Sequence, residues 1–99
     1  MKEFVYYNEL FEIYGNLLTD KEKETFKDYY CEDLSLSEIA DNKSISRAAV
    51  QKMVSNVIDK LNYYETMLKV YEKSKCLKEC IELKNIDEIK QKINEVLDK

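Results

Sequence analysis

The sequence has no proline, no histidine and no tryptophan, and its single glycine is Gly15. Proline and glycine are the residues that most often interrupt helices and form turns, so their scarcity favours long helices with short connections. The lack of histidine removes the commonest metal ligand and general base. Because there is also no Gly-rich phosphate loop and no nucleophile paired with a base, an enzyme is the least favoured class and no cofactor is expected.

Nothing in the sequence resembles a membrane or export segment. No run reaches the 18 or so uncharged apolar residues of a membrane-spanning helix, and Met1–Glu3 opens without the apolar core of a signal peptide. Cys31, Cys76 and Cys80 are an odd number of cysteines, which favours free thiols. We therefore expect a cytoplasmic protein without membrane contact.

The charge is acidic in total but uneven along the 99 residues, whose net charge is −4. Residues 1–34 carry four lysines against nine acidic residues, and residues 65–99 carry eight against eight. Residues 35–64 alone have a positive balance, with four basic against three acidic residues. This surplus is small, so useful affinity for a nucleic acid requires a dimer or another partner.

The segment Leu34–Leu61 has the residue pattern of a helix-turn-helix. Leu36, Ile39 and Ala40 are apolar at helical spacing and predict the inner face of a short first helix. Residues 41–44, Asp-Asn-Lys-Ser, break this pattern and supply turn formers. The composition and this motif together predict an all-α helix-turn-helix bundle.

The second helix of the motif is predicted to begin after Ser46, a good N-cap residue. Apolar residues then return at helical spacing as far as Leu61. We expect Ile45 to fill the corner between the two helices and to fix their angle together with Val50. The outward side then carries the candidate nucleic-acid-binding residues, which are Lys43, Ser46, Arg47, Ala48, Gln51, Lys52 and Ser55.

Two helices are predicted before the motif. The apolar seam from Phe4 to Leu18 predicts the first, with Gly15 at a close helix crossing. Thr19 and Glu22 form a capping-box pattern, so the second helix should begin after Thr19 and reach about Cys31.

The helical pattern continues beyond the motif as a long extension. A helix over residues 46–83 exceeds the width of a compact domain, so we expect a kink near residues 73–75 or an arm. Asn85 then caps a last amphipathic helix. This division predicts a bundle over residues 1–72 and a tail over residues 73–99 that packs on the bundle or on a partner subunit. The last helix is expected to fold back on Leu77, Cys80 and Ile81.

Unbroken heptads over residues 4–18 and 50–71 predict a homodimer, and the alternative use of these seams is internal packing. Neither Glu32–Asp33 nor the pair Cys76 and Cys80 has a third ligand nearby, so no metal site is expected.

Three stretches together resemble one family. They are residues 8–19 (NELFEIYGNLLT), residues 29–40 (YYCEDLSLSEIA) and residues 46–50 (SRAAV). Over about residues 4–72 they resemble the YlxM family of small bacterial helix-turn-helix proteins. More distantly, residues 19–61 resemble region 4 of sigma factors, which binds promoter DNA in the major groove.

The resemblance implies a DNA-binding or regulatory protein. It also implies a link to the signal recognition particle, because the genes of this family neighbour the gene of the particle's GTPase. By position, Ser46, Arg47 and Gln51 fall on the recognition-helix part of the motif. Ala48 stands where the family usually has Gln, Lys52 where an acidic residue is common, and Lys43-Ser44 replaces an apolar residue and Gly.

Two functions therefore follow as hypotheses. The first is a helix-turn-helix regulator that docks its second motif helix on DNA. The second is an adaptor in which the helix-turn-helix is a scaffold and the partner is the GTPase or the RNA of the signal recognition particle.

Overall fold

A computed structural model describes residues 3–99. Met1 and Lys2, on which the expectation about an export signal partly depends, lie outside the described residues. Over the described residues the chain is helical without a strand, which confirms the predicted all-α helix-turn-helix bundle with a long helical extension. The helices are α1 (Phe4–Tyr14), α2 (Asp20–Phe26), α3 (Leu36–Lys43), α4 (Arg47–Leu68), α5 (Val70–Glu82) and α6 (Ile86–Leu97).

The chain divides into two compact units, and the boundary lies within α4. The first unit extends to Tyr64, and the second comprises Glu65–Lys99. The division therefore comes earlier than the one after residue 72 that the sequence suggested. No described helix is both long and apolar enough to cross a membrane.

Aromatic rings form the centre of the first unit. The Phe26 ring stacks on Phe11, with centroids 4.3 Å apart, and on Tyr30 at 4.8 Å. The hydroxyl of Tyr7 accepts a hydrogen bond from the side-chain amide of Asn62 on α4, at 3.2 Å. The tyrosines of the N-terminal seam therefore complete a core within the unit, where each buries an apolar ring and keeps a polar end.

Helix α1 is shorter than the seam suggested. It ends at Tyr14, and a 3-10 turn over Gly15–Leu17 follows. The expectation of a close helix crossing at Gly15 is wrong, because the atoms nearest to a Cβ added there belong to the Phe11 ring of the preceding turn, at 3.3 Å. The absence of a side chain at Gly15 leaves room for the Phe11 ring of α1.

The predicted start of α2 is confirmed. The Thr19 hydroxyl accepts from the Glu22 N–H at 3.2 Å, and the Glu22 carboxylate accepts from the Thr19 N–H at 2.8 Å. Burial acts to raise the pKa of Glu22, but hydrogen bonds from Lys60 and Thr19 outweigh it and lower that pKa. A π-helical segment, Lys27–Cys31, extends α2 to the predicted end.

The break between α4 and α5 lies at Lys69, so the kink expected near residues 73–75 is placed too late. Lys69 has left-handed backbone angles, with φ 54°. The two carboxylate oxygens of Glu65 accept from the N–H groups of Tyr71 and Glu72, both at 3.0 Å. This cap satisfies two donors at the start of α5, and the apolar rhythm alone could not indicate it because Glu65 is polar.

Helices α5 and α6 form an antiparallel hairpin. Salt bridges join Glu79 to Lys92 at 2.8 Å and Glu72 to Lys99 at 2.9 Å. The predicted cap of α6 is confirmed, since the Asn85 side chain accepts from two N–H groups of its first turn. All three cysteines are free thiols, as expected.

The inner side of this hairpin agrees with the expectation at Cys80 but differs from it at Leu77 and Ile81. Ile81 is 82% exposed and Leu77 is 48% exposed, so α6 does not cover them. Cys76 and Cys80, the residues before them in the chain, are half-buried, and Val96 is buried on α6. The rotation of about 100° per residue explains the error, because a shift of one position turns a side chain from the inner side to an outer one.

Candidate nucleic-acid interface

The interface is built on the turn between α3 and α4. The Ser35 hydroxyl and the Glu38 carboxylate form a capping box that fixes where α3 begins. At the other end Ser44 has left-handed backbone angles, φ 57° and ψ 42°, and ends the helix. The Ile45 N–H then donates to the Ala40 carbonyl at 3.1 Å. The chain thus reverses over a few residues without glycine.

The predicted cap of α4 is present. The Ser46 hydroxyl accepts from the Ala49 N–H at 3.0 Å, and α4 begins at Arg47. The cap therefore fixes the backbone position at which the first turn of α4 begins. The remaining N–H groups of that turn point along the helix axis, and the partial positive charge of the helix dipole lies there.

The corner behind α4 is closed mainly by Val50. Val50 and Ile39 are both 0% exposed, and together with Ala40 they form the buried centre of the motif. Ile45 remains 39% exposed, so it covers the corner only in part. Residues around this centre that pack against it are Tyr29, Leu34, Leu36 and Val54.

The outward face of the first turns of α4 is open to solvent. Arg47 and Lys52 are its two cations, and no ion pair to either is found within residues 3–99. Gln51 lies between them in the sequence and carries an amide that can both donate and accept. Six of the seven candidate residues are exposed, namely Ser46, Arg47, Ala48, Gln51, Lys52 and Ser55.

Lys43, the seventh candidate, is engaged inside the protein. Its ammonium lies 2.7 Å from a carboxylate oxygen of Glu24 and 3.9 Å from one of Asp28. The hydrogen bond from Lys43, and then its charge, lowers the pKa of Glu24. The sequence places these two acidic residues 19 and 15 positions earlier, so helical spacing could not predict the pairing.

A groove of about 490 Å³ adjoins the exposed face, and sequence reasoning did not identify it. Gln51 and Ser55 belong both to the face and to the groove. A signal was available, because Val54 and Ile58 form an apolar stripe beside the fully buried one on α4. The remaining lining residues are Tyr29, Tyr30, Leu36, Val54, Ile58 and Asp59.

Comparison with known proteins agrees with this geometry. The family model described as "Putative helix-turn-helix protein, YlxM / p13 like" matches residues 1–99. The chain belongs to the UPF0122 family. The resemblance to the YlxM family over about residues 4–72 is thereby confirmed, and the match extends over the helical extension as well.

Relatives within UPF0122 cover nearly the same length. A UPF0122 protein of Fusobacterium nucleatum is 38% identical over 99 residues, covering 99% of this chain and 95% of the relative. One of Ureaplasma parvum is 40% identical over 87 residues, 88% of each chain. One of Caldanaerobacter subterraneus is 36% identical over 89 residues, 90% of this chain and 72% of the relative.

Proposed function

We propose that this protein is a regulator that binds duplex DNA through the exposed side of α4. The observation that carries the proposal is the open face of Arg47, Gln51 and Lys52, held from behind by the buried Val50. The major groove is about 12 Å wide and admits one α-helix. A helix whose first turns are solvated on one side and packed on the other fits that groove.

Each exposed residue has a role suited to its chemistry. Arg47 stands at the first position of α4, where its charge and the helix N-terminus both attract a phosphate. Lys52 supplies a second phosphate contact. Gln51 can donate to and accept from the edge of an adenine, and the Ala48 methyl can contact a thymine methyl. Base specificity therefore depends on Gln51 and Ala48, and overall affinity depends on the two cations.

The strength of the electrostatic contribution follows from the number of cations. Each neutralised phosphate changes the slope of log K against log salt by about −0.9 on duplex DNA. With Arg47 and Lys52 alone, one copy should show a slope of about −2. This is a weak dependence, so one copy should bind DNA with modest affinity.

The experiment is a fluorescence anisotropy titration with duplex DNA across a salt series. Changing Arg47 and Lys52 together to Ala should remove the binding. The variant Lys78→Ala/Lys84→Ala removes the same charge from exposed positions of the second unit, and it should bind as the original protein does. Unchanged binding by the first variant, with circular dichroism showing that it is folded, would refute the proposal.

The groove beside Gln51 favours a second function, that of an adaptor in the signal recognition particle pathway. Tyr29, Leu36, Val54 and Ile58 give it an apolar lining that a DNA backbone does not require. A protein side chain or an unstacked RNA base would bury these groups. The proposed partner is the GTPase or the RNA of the particle. This choice of partner is taken from the family resemblance.

The adaptor function is tested by capture from cytosol with and without RNase. The variant Ile58→Asp places a charge in the groove and should lose the targeting component, whereas Arg47→Ala should retain it. Recovery of no targeting component under either condition would exclude this function. Loss after RNase alone would identify the RNA as the partner.

A further inference from the structure

The second unit, Glu65–Lys99, carries an apolar face that its own two helices leave exposed. In α5, Val70, Leu77 and Ile81 recur after seven and four residues, which places them along one side of the helix. In α6 the same spacing recurs and gives a matching stripe. The second stripe consists of Ile86, Ile93 and Leu97. We name these six residues the hairpin face.

The two stripes lie on the same side of the hairpin. Leu77 directly follows Cys76, which is on the inner side of α5, and Leu97 directly follows the buried Val96 of α6. One residue turns the helix by about 100°. Because the helices are antiparallel, as the Glu79–Lys92 salt bridge shows, equal turns away from the inner side bring both stripes to the same side.

The exposure of this face is high for its size. The exposed fractions of the six residues range from 39% to 82%, and Val96 is the one described residue of α5 and α6 that is buried. A unit of this length buries too little surface by itself, since below about 40 residues folding usually needs a metal, disulfides or association. Its cysteines are free thiols, and no cluster of potential metal ligands is found among the described residues.

We propose that the hairpin face pairs with the same face of a second copy, so that two hairpins form a four-helix bundle. If a fully exposed Ile or Leu side chain presents roughly 100–150 Å² of apolar surface, the exposed fractions correspond to roughly 350–500 Å² per copy. Two copies with their flanking residues then bury on the order of 1,000 Å², about the least area expected of a biological interface.

Charge also favours a second copy over a lipid surface. The second unit carries eight lysines and eight acidic residues, so two copies meet without net repulsion. A helix that lies on an anionic membrane needs an excess of Lys and Arg, and usually carries Trp or Phe. Neither Trp nor Phe occurs in residues 65–99. An isologous interface brings the same patch of both copies together, so a unit without net charge meets no net repulsion there.

The heptad seams predicted from the sequence do not supply such a surface. The seams over residues 4–18 and 50–71, from which the sequence predicted a dimer, turn inward over most of their length. Leu10, Tyr14, Val57 and Leu61 are all buried there. Pairing through the hairpin face therefore retains the dimer hypothesis and moves it to another surface. A dimer also carries two copies of Arg47 and Lys52, although the pairing through the hairpin face does not depend on DNA binding.

Sedimentation equilibrium of the full chain, without DNA, tests the proposal. Concentrations from 1 to about 100 μM include a dimer dissociation constant of roughly tens of micromolar, which we expect of a small interface. The original protein should be a dimer, and Ile81→Glu/Ile93→Glu should be a monomer. The matched control Val5→Glu charges an exposed apolar residue of α1 and should remain dimeric. The thermal midpoint of the original protein should rise with protein concentration, whereas that of Ile81→Glu/Ile93→Glu should not.

Circular dichroism establishes whether the double variant is folded, and Ile81→Ser/Ile93→Ser replaces it if the glutamates unfold the chain. A dimer that survives these substitutions overturns the proposal, as does a dimer lost in Val5→Glu alone. A monomeric original protein at 100 μM also overturns it. Co-sedimentation of that monomer with anionic vesicles would assign the face to lipid instead.

Discussion

The Lys43 ammonium lies 2.7 Å from the Glu24 carboxylate, so a cation of the helix-turn-helix is held by α2 of the same unit. A free lysine at this position would stand beside Arg47 and Lys52 as a third phosphate contact. The salt bridge holds the Lys43 ammonium on Glu24 instead. The acidic N-terminal segment therefore limits how many cations the motif offers to a nucleic acid.

This relationship predicts a gain of binding from Glu24→Gln. The substitution removes the nearer of the two carboxylates that hold Lys43 and leaves only Asp28, at 3.9 Å. The salt slope for duplex DNA should therefore become more negative by up to about 0.9, the contribution of one phosphate. The control Glu79→Gln releases Lys92 in the second unit in the same way and should leave the slope unchanged. An unchanged slope for Glu24→Gln would show that Lys43 does not reach the DNA.

The same salt bridge predicts a dependence of stability on pH. The pKa of Glu24 is lowered in the folded state, so its contribution is present above the unfolded pKa and is lost as pH falls through the folded one. Urea titrations of the original protein and of Glu24→Gln should differ at pH 7 and converge in acid. A difference that grows as the pH falls would contradict this assignment.

Ser44 predicts a stabilising substitution at the turn. An L-residue with left-handed angles costs roughly 1–2 kcal/mol, and glycine avoids this cost. Ser44→Gly should therefore raise the free energy of unfolding of the first unit by about 1 kcal/mol, measured by urea titration. Ser37→Gly, within α3, should lower it, because there glycine only adds freedom to the unfolded chain. Loss of stability in Ser44→Gly would mean that the serine makes a contact that offsets its strain.

The break between α4 and α5 predicts that glycine substitutions at two positions of the second unit change stability in opposite directions. Lys69→Gly should stabilise α5 by about 1 kcal/mol, since Lys69 has φ 54°. Lys78→Gly, in the interior of α5, should destabilise it by about 1 kcal/mol. Hydrogen exchange of the α5 amides measures both. Equal destabilisation by the two substitutions would indicate that the break at Lys69 is absent in solution.

Tyr30 predicts a change at high pH. Burial, and then the neighbouring Tyr29 and Tyr7 hydroxyls, raise its pKa to about 12. The folded state therefore retains a proton that the unfolded state releases near pH 10, so stability is full below pH 10 and falls as the pH rises towards 12. Absorbance at alkaline pH should show one tyrosine titrating near 12, absent in Tyr30→Phe. If Tyr30→Phe removes no such late component, Tyr30 is not shielded as described.

Most of the helix starts could be predicted from short-range sequence patterns. Thr19, Ser35, Ser46 and Asn85 each accept from backbone N–H groups of the turn that follows, and in each case the residue type and its position indicate a helix start. Capping depends on residues two to three positions apart, so it can be identified from sequence.

Features that depend on distant residues were missed or misplaced. The Lys43–Glu24 pairing joins separate helices, and the carboxylate of Glu65 determines where α5 begins. Of the residues expected on the inner side of α5, Cys80 lies there but Leu77 and Ile81 do not, because apolar character identifies an amphipathic face but not which of two faces is already covered. The exposed side of α4 was identified correctly because Val50 and Ile39 define the opposite side within the motif itself.

Within residues 3–99 the backbone has left-handed angles at three L-residues, Asp33, Ser44 and Lys69, and at no glycine. At roughly 1–2 kcal/mol each, these corners together oppose folding by about 3–6 kcal/mol, a large share of the 5–15 kcal/mol net stability typical of a protein. Substitution to glycine at any of these three positions should therefore change the stability of the fold without altering the exposed residues of the first turns of α4.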